Sequence, residues 1–101
     1  MAFDIAWNTP TSARLSGELD LAAVAAVGRR VLEVDGDLEL ECSGLTFIDA
    51  SGLRLLVAIH RGCEGRGGQL TIVNPARCVL RLLTLTGLDG VLTVRQANVA
   101  R

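Results

Sequence analysis

Ser51 stands in the stretch Asp49-Ala50-Ser51-Gly52, which opens a run of helical apolar spacing. A hydroxyl in the first turn of a helix lies among unpaired backbone N–H groups and about half a positive charge from the helix dipole. A phosphate placed there would bring about −1.5 to −2 charge and three acceptor oxygens without unwinding the helix. Gly52 adds no side chain beside the hydroxyl. Asp49, two residues earlier, has the chemistry either to cap the helix or to orient the hydroxyl. Ser and Asp are also ordinary residues at helix starts, so from these residues alone a plain structural start and a modifiable hydroxyl both stand. Asp20, after Gly17-Glu18-Leu19, reads from the residues as the cap of the helix that follows it. Ser43 and Thr46, just ahead of the site, read as turn-forming hydroxyls. Arg54 and Arg61 fall on the outer side of the helix and read equally as solvated charges and as partner contacts.

Other chemistries find no support. His60 is the one histidine. It lies nine residues beyond Ser51 on the same helix, about 13 Å away at 1.5 Å per residue, which is too far to activate a serine nucleophile. The expectation is a half-buried helix residue and a protein that is not an enzyme. Cys42, Cys63 and Cys78 form no Cys-x-x-Cys pair, so neither a zinc site nor a disulfide framework is expected, only reduced thiols. Gly65, Gly67 and Gly68 follow a helix instead of preceding one, unlike a phosphate-binding loop. No metal and no cofactor are expected. The ten basic residues are all arginine, and against eleven carboxylates they leave a net charge of −1. That balance fits neither nucleic acid nor an acidic membrane as partner. The first residues lack a basic region followed by an apolar one, and no stretch approaches a membrane span, so a cytoplasmic location is expected.

The elements that must hold Ser51 follow from periodicity. Length alone predicts one domain, 1–101, with a core over about 3–95. Phe3, Ile5 and Trp7 alternate with polar or small residues, and 11–16 alternates again across the turn residues Asn8-Thr9-Pro10, which predicts an N-terminal β-hairpin. Leu21, Val24, Val27 and Val31 predict a helix over 21–33, capped by Asp20 and broken by Asp35-Gly36-Asp37. A strand over 38–42, a turn at Ser43-Gly44 and an approach over 45–48 lead to the Ser51 helix. Its inward stripe is Leu53, Leu56, Ile59, His60 and Cys63, widened by Leu55 and Val57. A strand over 69–73, a helix over 77–85 with Pro75 suited to its first position, and a strand over 91–94 complete the chain, with a frayed tail. The fold class is α/β: a mixed, mostly parallel five-stranded sheet with three main helices that cover one face better than the other.

Four motifs in this order resemble a known family. Gly17-Glu18-Leu19-Asp20, Phe47-Ile48-Asp49-Ala50-Ser51-Gly52-Leu53, Val73-Asn74-Pro75 and Leu85-Thr86-Gly87-Leu88 are similar to those of the anti-sigma factor antagonists of bacteria, the STAS domain. The resemblance spans about residues 3–95. It implies a non-enzymatic regulator of transcription, with Ser51 phosphorylated by an ATPase-type serine kinase that doubles as the anti-sigma factor and dephosphorylated by a phosphatase. Asp20, Asp49, Ala50, Gly52 and Arg54 are then the partner-contact residues. Ala50 stands where the family often has a serine, and Glu41 where it commonly has an aspartate. The same domain type also serves as an accessory subunit of lipid or anion transport systems, which is the alternative function; homodimerisation and nucleotide binding stay open.

Overall fold

The computed structural model describes residues 2–27, 30–34 and 36–96. Alternating Ile5 and Trp7 make β1 (Asp4–Thr9), which turns at Pro10-Thr11 and pairs antiparallel with β2 (Ser12–Leu19); Ile5 lies opposite Leu15 and Trp7 opposite Ala13. The Thr11 amide donates to the Thr9 hydroxyl at 3.1 Å and holds the turn. Then come α1 (Leu21–Val27), a 3-10 turn (Arg30–Leu32), β3 (Leu38–Ile48), α2 (Ala50–Gly65), β4 (Leu70–Val73), α3 (Arg77–Thr86), a second 3-10 turn (Leu88–Gly90) and β5 (Thr93–Arg95). The five strands lie in sequence order, β2 to β5 mutually parallel and β1 antiparallel at one edge.

One core unites the sheet and the helices. Ala13, Leu15 and Leu19 of β2, Leu38, Leu40 and Cys42 of β3, and Leu70 and Ile72 of β4 meet Leu56, Ile59 and Cys63 of α2 and Val79 and Leu83 of α3. The alternate residues Ser12, Arg14 and Ser16 of β2, Glu39 and Glu41 of β3 and Thr71 of β4 are polar. Arg14 pairs with Glu41 at 3.7 Å and Arg95 with Glu39 at 2.8 Å. Such partly solvated pairs are worth roughly 1 kcal/mol or less, so they mark a wet face of the sheet and not a second core.

β3 is the element the sequence spacing misreads. The expected turn at Ser43-Gly44 is absent, and the strand runs unbroken to Ile48. Between Arg14 and Ser16 of β2 the partner strand advances from Glu41 to Gly44, and between Gly17 and Glu18 it advances from Leu45 to Phe47. Each step inserts one extra residue into β3, a bulge that re-aims the side chains after it. Cys42, Leu45 and Ile48 therefore stay buried although their spacing is three, and Phe47 turns out to the polar face, 45% exposed. Ser43, which composition assigns to a turn, is held by Glu41, whose carboxylate accepts from the Ser43 amide at 3.2 Å and from its hydroxyl at 2.7 Å.

Other boundaries shift for local reasons. α1 covers Leu21–Val27 and a 3-10 turn covers Arg30–Leu32, where the spacing predicts one helix to residue 33, positions 28–29 lying outside the described residues; Leu21, expected in its apolar stripe, is 71% exposed, and Ala23 is buried instead. Asp35 and the tail 97–101 lie outside the described residues. In α2, Leu53, Leu55, Leu56, Ile59, His60 and Cys63 are buried as the spacing predicts, while Val57 is half-buried. Pro75 precedes α3 instead of opening it: Asn74 takes a positive φ of 50°, and the Ala76 amide donates to the Cys42 carbonyl at 3.2 Å, tying the approach to β3 before the helix begins at Arg77. Asn tolerates that left-handed conformation better than most residues. The 3-10 turn Leu88–Gly90 delays the last strand to Thr93, leaving Val91 exposed.

Candidate functional site

The carboxyl ends of β2 and β3 lie side by side, Leu19 opposite Ile48. The next residue in each chain segment is an aspartate, and each aspartate starts a helix. Asp20 Oδ1 accepts from the Ala23 amide at 3.0 Å, and Asp49 Oδ1 accepts from the Gly52 amide at 3.1 Å. The Asp49 amide donates to the Leu19 carbonyl at 3.5 Å, linking the two starts. Asp49 has the extended backbone of an N-cap (φ −117°, ψ −171°), as a capping aspartate requires. Two helices thus begin next to each other beyond the carboxyl edge of parallel strands.

Gly52 makes this arrangement fit. A Cβ on Gly52 would stand 2.8 Å from Leu19 Cγ and 3.0 Å from Ile48 Cγ1, and closer still to the Leu19 carbonyl oxygen. The first turn of α2 therefore rests directly on the end of β2. Ser51, one residue earlier, is the second residue of α2 and is half-buried. Among the described residues its hydroxyl makes no hydrogen bond. Asp49 gives its carboxylate to the Gly52 amide and not to the Ser51 hydroxyl. Ala50 and Arg54 are exposed, Arg54 one helical turn beyond Ser51.

The structure brings Asp20, Asp49, Ala50, Ser51, Gly52 and Arg54 to this one edge and leaves the other candidates outside it. Ser43 lies on the wet face with Glu41, and the Thr46 hydroxyl donates to the Gly17 carbonyl at 3.3 Å. His60 is 7% exposed, more buried than expected; its Nε2 lies 3.4 Å from a Glu64 carboxylate oxygen, and among the described residues its Nδ1 has no hydrogen-bond partner. Burial, and secondarily the charge of Glu41, pushes the Cys42 thiol up to about 12, and burial also raises Cys63. These are inert thiols, not nucleophiles. Among the described residues no group of His, Cys, Asp and Glu could hold a metal ion.

Two residues of the site escape the sequence reading. Leu21, directly after Asp20, and Phe47, two residues before Asp49, are large, apolar and exposed. Phe47 gave no sequence signal, because only the bulge ahead of it turns it outward. Beside Asp20, an open cleft of about 410 Å³ is lined by Phe3, Glu18, Asp20 and the alanines of α1.

The chain is a small α/β domain whose mostly parallel sheet carries two aspartate-capped helix starts and a half-buried serine at its carboxyl edge. Residues 8–94 match the family described as Mlab, STAS domain, and the chain belongs to the STAS domain family. Its fold is that of SpoIIAA, an anti-sigma factor antagonist solved in its unphosphorylated form, with a TM-score of 0.74 at 24% identity over 96% of this chain and 89% of that one. The phosphorylated form of the Bacillus cell fate determinant SpoIIAA aligns with a TM-score of 0.71 at 22% identity, covering 96% of this chain and 92% of that one. The anti-sigma-B factor antagonist of Bacillus subtilis (strain 168) is 23% identical over 83 residues, 79% of this chain and 76% of that protein. A human anion exchange transporter is 34% identical over 50 residues, half of this chain and 8% of the transporter. No helix among the described residues is long and apolar enough to cross a membrane.

Proposed function

We propose that this domain is an anti-sigma factor antagonist whose binding to its partner is switched by phosphorylation of Ser51. The observation that carries the reading is Ser51 itself: an unbonded, accessible hydroxyl in the amide-rich first turn of α2, between two aspartates that already satisfy the helix starts. In the reaction, Ser51 Oγ attacks the γ-phosphorus of ATP held by the partner kinase. The bond to the bridging oxygen breaks, ADP leaves, and the hydroxyl proton passes to a base on the kinase. The α2 amides and dipole favour the new phosphate, so the helix survives. The contact surface changes instead, because about two negative charges now sit beside Asp49 and Asp20. A partner that docks on Leu21, Phe47 and Arg54 meets like charge and a costly desolvation, and is released. A phosphatase restores the binding form. The domain performs no catalysis, holds no cofactor, and works in the cytoplasm.

Likeness over half of the chain to a stretch of an anion exchange transporter favours a second reading, in which the same edge packs against a transport component without phosphorylation. Intact-mass spectrometry of protein from its native cell separates the two. A phosphate mapped to Ser51 supports the switch; unmodified protein co-purifying with a permease or transport ATPase supports the other. For the switch, calorimetry with the cognate kinase should show Ser51→Ala binding like wild type and Ser51→Asp binding at least tenfold more weakly. Equal binding by both variants refutes it.

A further inference from the structure

The outer side of α2 extends the charge of Arg54 by a second arginine, Arg61, two helical turns further on. Arg54 and Arg61 are exposed, and among the described residues neither has an ion pair or hydrogen-bond partner. They are seven residues apart, two helical turns, so they point the same way about 10 Å from each other. Between them lie Val57 and Ala58, flanked by Leu53, and Leu88 of the second 3-10 turn stands opposite. Together these residues line a groove of about 340 Å³ with an apolar floor and a guanidinium at each end. The charge around it is lopsided: from Ala50 to Gly90 there are five arginines and two carboxylates, in a chain whose net charge is −1.

We infer that this groove receives an acidic amphipathic helix of the partner protein. An α-helix laid along α2 at the usual 8–10 Å axis separation presents side chains at the same rise of about 1.5 Å per residue. Carboxylates seven residues apart on it meet Arg54 and Arg61, and leucines three and four residues after the first carboxylate fill the floor over Val57 and Leu88. This is helix-in-groove recognition with apolar anchors and charge complementarity at the ends. A lipid surface or a nucleic acid would use the arginines but has no use for a concave apolar floor, so a protein helix fits the groove better.

Ser51 lies three residues before Arg54, which lines the groove. On a helix those two positions are neighbours. A phosphate on Ser51 therefore has Arg54 within reach and places its own charge beside the first arginine of the groove. This last link rests on the reading of Ser51 as the phosphorylated residue; the groove itself does not.

The test uses the unmodified full chain and a synthetic fifteen-residue helical peptide in an alanine and glutamine background, with two glutamates seven residues apart and two leucines midway. Nuclear magnetic resonance should show amide shifts concentrated at Arg54, Val57, Arg61 and Leu88. Fluorescence anisotropy should show saturable binding that weakens with salt, that falls about tenfold in Arg61→Ser, and that falls similarly when the peptide's glutamates become glutamines. No saturable binding at about 1 mM peptide, shifts confined to other elements, or equal binding by Arg61→Ser overturns the proposal. So does binding to phosphatidylserine vesicles, or to duplex DNA, in the absence of peptide binding. Ser51→Glu separates the two readings: if Arg61→Ser loses the peptide and Ser51→Glu keeps it, the groove stands and its control by Ser51 falls.

Discussion

Replacing Gly52 by alanine tests whether the closeness of α2 to β2 is real. Inside a helix this change is normally favourable by up to about 1 kcal/mol, because alanine loses less backbone freedom than glycine. Here the added methyl meets Leu19 Cγ at 2.8 Å and Ile48 Cγ1 at 3.0 Å, with the Leu19 carbonyl oxygen nearer still. Carbon atoms pack best at about 3.5–4.0 Å, so the first turn must retreat by roughly 1 Å. Overpacking of this kind costs about 1–3 kcal/mol. The retreat also stretches the 3.1 Å cap bond from Gly52 to Asp49, a bond worth roughly 1 kcal/mol. Subtracting the propensity gain leaves a net loss of about 1–3 kcal/mol. Gly62→Ala in the same helix is the control. There the new methyl meets only the end of the Arg66 side chain, at 3.1 Å, and the Leu32 carbonyl at 3.7 Å, so the flexible arginine yields and stability should hold or rise by up to about 1 kcal/mol. Urea denaturation reads both as midpoint shifts at constant slope. Opposite signs are expected; a Gly52→Ala midpoint at or above wild type refutes the close contact.

Three further outcomes follow from the same structure. Leu56 is fully buried, so Leu56→Ala should lower stability by about 2–5 kcal/mol, and a midpoint unchanged from wild type would mean that α2 presents another face to the core. Asp49→Asn should stay within about 0.5 kcal/mol of wild type, since asparagine also caps, whereas Asp49→Ala should cost about 1 kcal/mol; equal loss in both would show that the charge, not the cap at Gly52, is what matters. The Cys42 thiol is raised from 9.0 to about 12, so the folded chain favours the neutral thiol, and its contribution is complete below pH 9 and lost as pH rises towards 12. Urea midpoints should therefore fall above pH 9 by up to about 1.4 kcal/mol per pH unit, and Cys42→Ala should flatten that fall; an unchanged slope would rule Cys42 out as its cause.

His60 shows where a local rule and the fold disagree. Its place in the apolar stripe of α2 was legible from spacing, and its burial follows. Its Nδ1, however, has no hydrogen-bond partner among the described residues. Buried polar atoms are usually satisfied, and helical spacing alone does not reveal which atom will be stranded.

The sequence by itself determined what depends on neighbours in the chain. Period-two alternation set the hairpin of Ile5, Trp7, Ala13 and Leu15, and helical period set the buried side of α2 from Leu53 to Cys63. Asp49 and Asp20 were legible as caps because capping is a contact across three residues. The left-handed Gly87 ended α3 where a glycine is the easiest way to end it. Tertiary structure alone decided the rest. The two bulges that carry β3 past Ser43-Gly44 exist only because β2 lies alongside with a fixed register, and they turn Phe47 outward beside the site. The need for glycine at position 52 comes from Leu19, thirty-three residues away in sequence. The groove that Leu88 completes against Arg54 and Arg61 joins two elements that no local pattern connects. Hydrophobic period and hydrogen-bonding caps act over a few residues and can be read from the chain. Register, close backbone approach and the juxtaposition of surfaces act between segments, and only the packed sheet and helices bring those segments together.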